Sequence, residues 1–221
     1  MNITRRAVLA GVGTAGAVGL AGCSDEDVPD HDVPNYDCSD TAAPERGDEV
    51  PRSVIGDPDA DVTVAVFEDF GCPACRDYKL NHFPTVREEF VDTGEVRYEH
   101  WDLPIPASEE WSFAVANAGR GVADREGSEA FFEYARVAYE LDAAEGYSEN
   151  GIGYAAEQAG DDPCLAMANA EMGTYDDLLG SDRQEGNTRG VEGTPGIIVD
   201  GDHVSGYDAD DVVAAIESAL E

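Results

Sequence analysis

The sequence predicts an α/β domain whose sheet is interrupted by a long helical insertion, and three observations carry that prediction. A β-branched run at residues 61–67 (DVTVAVF) stops at Gly71-Cys72-Pro73, where a helical segment can begin. A second apolar run, residues 196–199, leads into Asp200-Gly201 and a final segment with one apolar face. Between the two halves the apolar residues recur with helical spacing rather than alternating.

The bulk composition fits this. At 221 residues with 42% hydrophobic content, the chain can hold one globular domain with a real core, plus a tail and a targeting segment. Its 48 acidic residues face only 13 Lys and Arg, Lys79 is the sole lysine, and the formal charge is −35. Acids run through every predicted element, so the folded state repels itself at ordinary salt. At about 1 M salt the Debye length is roughly 3 Å and the repulsion is largely screened. The composition resembles that of extremely halophilic archaea, and a high-salt environment is expected. Nucleic acid and anionic membrane surfaces are poor partners for such a field.

Residues 1–22 read as an export signal. Arg5-Arg6 precedes an acid-free, Gly- and Ala-rich run and resembles a twin-arginine signal. The run ends in Leu20-Ala21-Gly22-Cys23, which resembles the lipobox of prokaryotic lipoproteins, with Cys23 as the lipidated mature N-terminus. The alternative is an uncleaved anchor, but residues 7–22 with their five glycines fall short of the ~20 apolar residues of a spanning helix. Residues 23–51, acidic and punctuated by Pro29, Pro34, Pro44 and Pro51, read as a tether.

Residues 52–106 supply the first part of the α/β domain. The run 61–67 is expected as a buried central strand. Pro73 suits the first helical position, and residues 73–90 are expected to form one helix, followed by a strand at 95–101. The insertion spans residues 107–182. In it Phe131, Tyr134, Ala135 and Ala138 share a helical face that Ser128 would cap, and Asp162-Pro163 opens another helix. Residues 183–221 complete the domain with the strand 196–199, the hairpin, and a helix whose apolar face is Val212, Val213, Ile216 and Leu220. Asp208 and Asp211 resemble a capping box at its start.

Cys72-Pro73-Ala74-Cys75 sits where strand passes to helix. Two cysteines three apart on a first turn can bond with little backbone movement. Cys72, at the helix N-terminus, is the expected nucleophile, because unpaired N–H groups and the helix dipole favour its thiolate. Cys75 is the expected resolving thiol. A zinc site would want a second ligand pair, and His31, His82, His100 and His203 stand singly in the sequence, so no metal is expected. A purely structural disulfide remains the other alternative, although so small a loop adds little stability. The redox-active disulfide needs no further cofactor.

The succession of strand, Asp-Phe-x-Cys-Pro-x-Cys, long helical stretch, Gly193-Thr194-Pro195, apolar strand, Asp-Gly and final helix resembles the DsbA-like branch of the thioredoxin superfamily over about residues 50–221. The resemblance implies a thioredoxin-like fold. It makes Pro195 a cis-proline packed on the redox pair, and Thr194 a backbone contact for an extended client. From the residues alone, Pro195 reads equally well as a proline at the start of a strand. The resemblance further implies a thiol–disulfide oxidoreductase outside the cytoplasm, with thiol-bearing exported proteins as clients and a membrane partner for recycling. A monomer held to the membrane by Cys23 is expected.

Two departures from that family matter. Many relatives place a buried carboxylate six residues before the first cysteine, where this chain has Val66. Glu68 could replace it as a proton relay, or could be a solvated charge at the strand end. Ala74 gives the Cys72 thiolate neither hydrogen bond nor charge, which predicts a milder oxidant than the strongest relatives. Cys38 and Cys164 form an even remainder for a structural disulfide, with a free buried Cys164 as the alternative. The competing functions are a reductase or isomerase on the same fold, and a metal-delivery lipoprotein. Only three methionines, Met1, Met167 and Met172, argue against a thioether-rich copper site.

Overall fold

The computed structural model describes residues 31–108 and 110–221. Its five strands are β1 (Val54–Gly56), β2 (Val62–Glu68), β3 (Val96–Asp102), β4 (Gly196–Val199) and β5 (Asp202–His203), in the order β1-β3-β2-β4-β5. β2 and β3 run parallel, with Val66 opposite His100 and Glu68 opposite Asp102, and the other neighbours are antiparallel. β2 is central. Its Val62, Val64 and Val66 enter the main core, while Ala65 and Phe67 enter a smaller one with Trp101, Leu103, Val191 and Ile198 on the other face. A strand buried on both faces needs the near-continuous apolar run that the sequence shows there.

The helical run after β2, here α1, is less regular than expected. It passes through Pro73–Asp77, Tyr78–His82, Phe83–Val86 and Arg87–Val91, and the second and fourth pieces are wide turns with i→i+5 bonding. Pro84 has no N–H to return to the preceding turn, so the helix widens before it. Five further helices follow: α2 (Trp111–Glu126), α3 (Ser128–Ala144), α4 (Glu149–Gln158), α5 (Pro163–Met172) and α6 (Asp176–Thr188). The last of these runs past the expected limit at residue 182. Phe131, Tyr134, Ala135 and Ala138 are buried on α3 as their spacing required.

Several local expectations are corrected. Gly127, with φ of 90°, occupies the N-cap position of α3, and the Ser128 hydroxyl instead accepts the Val54 N–H at 3.0 Å, tying the insertion to β1. Asp208 precedes the final helix α7 (Ala209–Ala219) but makes no side-chain cap. The free Ala209 N–H goes to His82 Nδ1 at 3.2 Å, so a ring from α1 does the capping. Val212 and Ile216 of α7 are buried, whereas Leu220 is exposed. By contrast Asp162 caps α5 as expected, accepting from the Cys164 and Leu165 amides. The hairpin closes on Asp200 and Gly201, both at positive φ.

Residues 31–51, expected to hang free as part of a tether, lie along the insertion as a strap. His31 meets Glu140 at 3.2 Å, the Tyr36 hydroxyl donates to Glu157 at 2.7 Å, and Arg46 pairs with Asp177 at 2.6 Å. The Gly47 amide donates to Asp124 at 2.8 Å. Cys38 and Cys164 are joined by a disulfide that staples the strap to α5. The segment forms no regular element because its prolines forbid one, yet side-chain partners on five helices hold it. Among the described residues no helix is long and apolar enough to cross a membrane. The expected export signal, residues 1–22, and the expected lipid-bearing Cys23 lie outside the described residues.

Candidate active site

The turn between β2 and α1 is built by Asp69 and Gly71. Asp69 is buried and fully used: its carboxylate accepts from the Gly71 amide at 2.8 Å, and from the Ile105 and Ala107 amides at 2.9 and 3.2 Å. It therefore clamps the loop after β3 onto the turn. Gly71 has to be glycine for packing, since a Cβ there would lie 2.5 Å from Ser112 Oγ and 2.7 Å from the Ser108 amide. The Tyr147 hydroxyl donates to the Phe70 carbonyl at 2.8 Å, so the insertion holds the turn from the far side.

Cys72 comes next, at the N-cap of α1 with extended backbone, and Pro73 follows at the first helical position. The two thiols are unbonded and differ sharply: Cys72 is half-buried, while Cys75 is wholly buried one turn on. Cys72 Sγ lies 3.3 Å from the Thr194 carbonyl, and the Thr194-Pro195 peptide bond is cis. Residues 122 apart in sequence thus meet over the sulfur. A hydrogen bond from the Cys75 thiol lowers the Cys72 pKa to about 5, helped by Thr194 and by the Cys75 and Ala74 amides, and opposed by partial burial. Ala74 thus helps with its backbone although its side chain gives nothing. Burial drives Cys75 the other way, well above the ordinary thiol range, and Cys72 and the Glu68 charge reinforce it. One sulfur is poised as a thiolate and the other is held as a thiol.

Glu68 is no solvated charge at the strand end: it is 1% exposed. Lys79 Nζ lies 2.8 Å from its Oε2 and His100 Nδ1 2.9 Å from the same oxygen. Burial opposes ionisation of Glu68, but Lys79 and His100 hold its pKa below the usual carboxylate range. Lys79 is surrounded by the rings of Phe83, Phe132, Tyr98 and Tyr78, with its nitrogen 4.5 to 6.0 Å from their centroids. Val66 fills the position six residues before Cys72 with plain core packing.

Lys79, His100 and Asp69 escaped the sequence reading. Signals for them existed. Lys79 stands four residues after Cys75, hence on the same helix face, and it is the one lysine of a chain with 48 acids. His100 and Asp102 alternate with Val96 and Tyr98 on β3, which puts two polar residues on a core-facing stripe. Among the described residues no group of three His, Cys, Asp or Glu side chains comes together as metal ligands.

A thioredoxin-like fold and a Cys-x-x-Cys pair at a strand-to-helix junction, facing a cis-proline loop, define a class: the thiol–disulfide oxidoreductases. The chain belongs to the thioredoxin family, whose model, described as "Thioredoxin", matches residues 48–218. Probable disulfide bond formation protein D of Bacillus cereus is 23% identical over 169 residues, 76% of this chain and 78% of that protein. Disulfide bond formation protein D of Bacillus subtilis is 38% identical over 47 residues, so the match spans only 21% of either chain. Among solved structures, oxidised BdbD from Bacillus subtilis superposes with a TM-score of 0.67 at 22% identity, over 76% of this chain and 92% of that one. Chlamydia trachomatis DsbA gives 0.68 at 22% identity, over 76% and 90%. The fold is DsbA-like: a thioredoxin-like sheet domain carrying a helical insertion.

Proposed function

We propose that this chain is an extracytoplasmic oxidase that donates the Cys72–Cys75 disulfide to exported proteins and is reoxidised by a membrane partner. The observation that carries the reading is the asymmetry of the two sulfurs. Lowering the Cys72 pKa to about 5 stabilises the reduced form of the site, and a site stable when reduced gives its disulfide away readily. A client thiolate attacks Cys72, the mixed disulfide forms, and the client's second thiol releases Cys72. In this scheme Thr194 and Pro195 hold the client backbone beside Cys72, Pro73 and Ala74 shape the turn, and Glu68 relays protons to and from Cys75. Cys38–Cys164 serves as a structural bond.

We read residues 1–22 as a cleaved twin-arginine signal and Cys23 as a lipid anchor on the outer face of the membrane, in a high-salt environment. Residues 23–51 connect the anchor to the domain, residues 52–106 and 183–221 form the two parts of the sheet domain, and residues 107–182 the insertion. The names of the relatives and the oxidising setting needed for Cys38–Cys164 favour this reading.

The deciding measurement is the reduction potential of the pair against glutathione or dithiothreitol. A value well above about −200 mV is expected for a donor, and one near about −270 mV would make the protein a reductase instead. Intact mass of membrane-extracted protein tests the anchor: a diacylglyceryl adduct on a chain beginning at Cys23 is expected, and an unmodified chain beginning at Met1 would overturn it.

A further inference from the structure

Glu68 belongs to a longer array. Seven ionisable side chains connect in series: Lys79, Glu68, His100, Asp102, Arg120, Asp182 and Arg52. The His100 ring is the joint. Its Nδ1 is 2.9 Å from Glu68 Oε2, its Nε2 is 3.1 Å from Asp102 Oδ1, and the residue is 1% exposed. Arg120 Nε reaches Asp102 at 2.5 Å, its other arm pairs with Asp182, and Arg52 reaches Asp182 at 2.9 Å. Phe131 from α3 and Phe70 from the active-site turn close the ring in, with centroids 4.6 and 6.2 Å away.

The charge count singles out His100. Three carboxylates (Glu68, Asp102, Asp182) face three cationic side chains (Lys79, Arg120, Arg52), so these six cancel. The imidazole decides whether the array is neutral or carries +1. Two carboxylates on its two nitrogens outweigh burial and raise its pKa. Lys79 Nζ and His100 Nδ1 both lie against Glu68 Oε2, only His100 in hydrogen-bond geometry, and Oε1, wholly buried, has no hydrogen-bond partner. Such an oxygen is costly unless it has work to do. Cys75 is 0% exposed, so a thiolate formed on it has no direct access to solvent protons.

We propose that His100 is the buried proton store of the exchange reaction, a positioning residue that acts on Cys75 through Glu68. This deepens the oxidase reading and rests on it. When a client thiolate attacks Cys72 Sγ, the Cys72–Cys75 bond breaks and its electron pair stays on Cys75 as a thiolate. His100 Nδ1 gives its proton to Glu68 Oε2, and Glu68, ionised at rest, passes a proton on to that sulfur and returns to the carboxylate. The array falls from +1 to neutral as Cys75 passes from thiolate to thiol, so no net charge is created in the core. The client thiolate's lone pair forms the new S–S bond and Cys75 keeps the pair of the bond that breaks, so no outside oxidant or reductant is needed.

The test uses the full chain at molar salt. Nitrogen-15 NMR of the oxidised protein gives the His100 midpoint, assigned by elimination with His31→Gln, His82→Gln and His203→Gln. Stopped-flow opening of the Cys72–Cys75 disulfide by a small thiol, corrected for the thiol's own ionisation, gives the pH–rate profile. The rate is expected to fall as pH rises through the NMR midpoint, and His100→Gln to lose that limb and slow opening about a hundredfold at neutral pH. A limb that does not coincide with the His100 midpoint, or one that survives in His100→Gln, overturns the proposal while leaving the redox pair in place. The native-sequence comparison stands even if the variant fails to fold. A disulfide that no thiol opens would instead sink the oxidase reading itself.

Discussion

Two pairs of cysteines in one chain show how little the residue type says about its chemistry. Cys72 and Cys75 are three residues apart, unbonded, with one sulfur at a helix N-terminus under Thr194 and the other sealed in the core. Cys38 and Cys164 are 126 apart and bonded, with the Met167 sulfur 3.8 Å from Cys38 Sγ. The first pair sits where thiolate and thiol are driven apart in acidity, and the second where joining distant segments restricts the unfolded chain.

The contrast can be broken most directly by activity. Cys72→Ser is expected to abolish thiol exchange with a model client, whereas Cys38→Ser/Cys164→Ser should keep it within about twofold. A large loss in the double variant would mean that the second pair also works in catalysis. Next comes the ion pair below the site. Lys79→Met leaves Glu68 buried without its ammonium, and chemical denaturation should show about 3–5 kcal/mol lost. A near-neutral result would mean that Glu68 simply takes up a proton.

Opening the second disulfide is a smaller effect on stability, about 2–4 kcal/mol by the same measurement, with no shift in the Cys72 pKa. Alkylation of the reduced protein sharpens the other side of the comparison. The rate at Cys72 should stay high as pH falls from 9 and drop only through about 5, the value its hydrogen bonds set. The sign follows from linkage. A depressed thiol pKa stabilises the folded reduced form at alkaline pH, and that contribution fades as pH falls through the folded value. Repeating the titration at low salt should move the midpoint up, since the unscreened acids disfavour the thiolate.

Much of this was legible because the sequence repeats its message locally. A β-branched run, a Cys-Pro break and an Asp-Gly turn each specify one backbone outcome, and β2, the start of α1 and the β4–β5 hairpin follow them. The cis loop at Pro195 was legible only through family resemblance, since a proline before a strand has more than one use. The strap was misjudged because its partners, such as Glu140, Glu157 and Asp177, lie more than a hundred residues downstream. Composition reports what a segment lacks and nothing of what will hold it. Glu68 was ambiguous for a related reason. Whether a strand-end carboxylate is wet or buried depends on Lys79 and His100, and neither is visible from β2.

The staple at Cys38–Cys164 makes a demand on the protein's own biogenesis. A bond that joins residues 126 apart can close only once the chain has been made past Cys164, so a newly made molecule must acquire an oxidising equivalent after most of its length is in place. Under the proposed function, an older copy is a competent source. Each fresh molecule would then start life as a recipient of the chemistry it later dispenses, and the population would mature in a self-propagating way, faster as finished molecules accumulate.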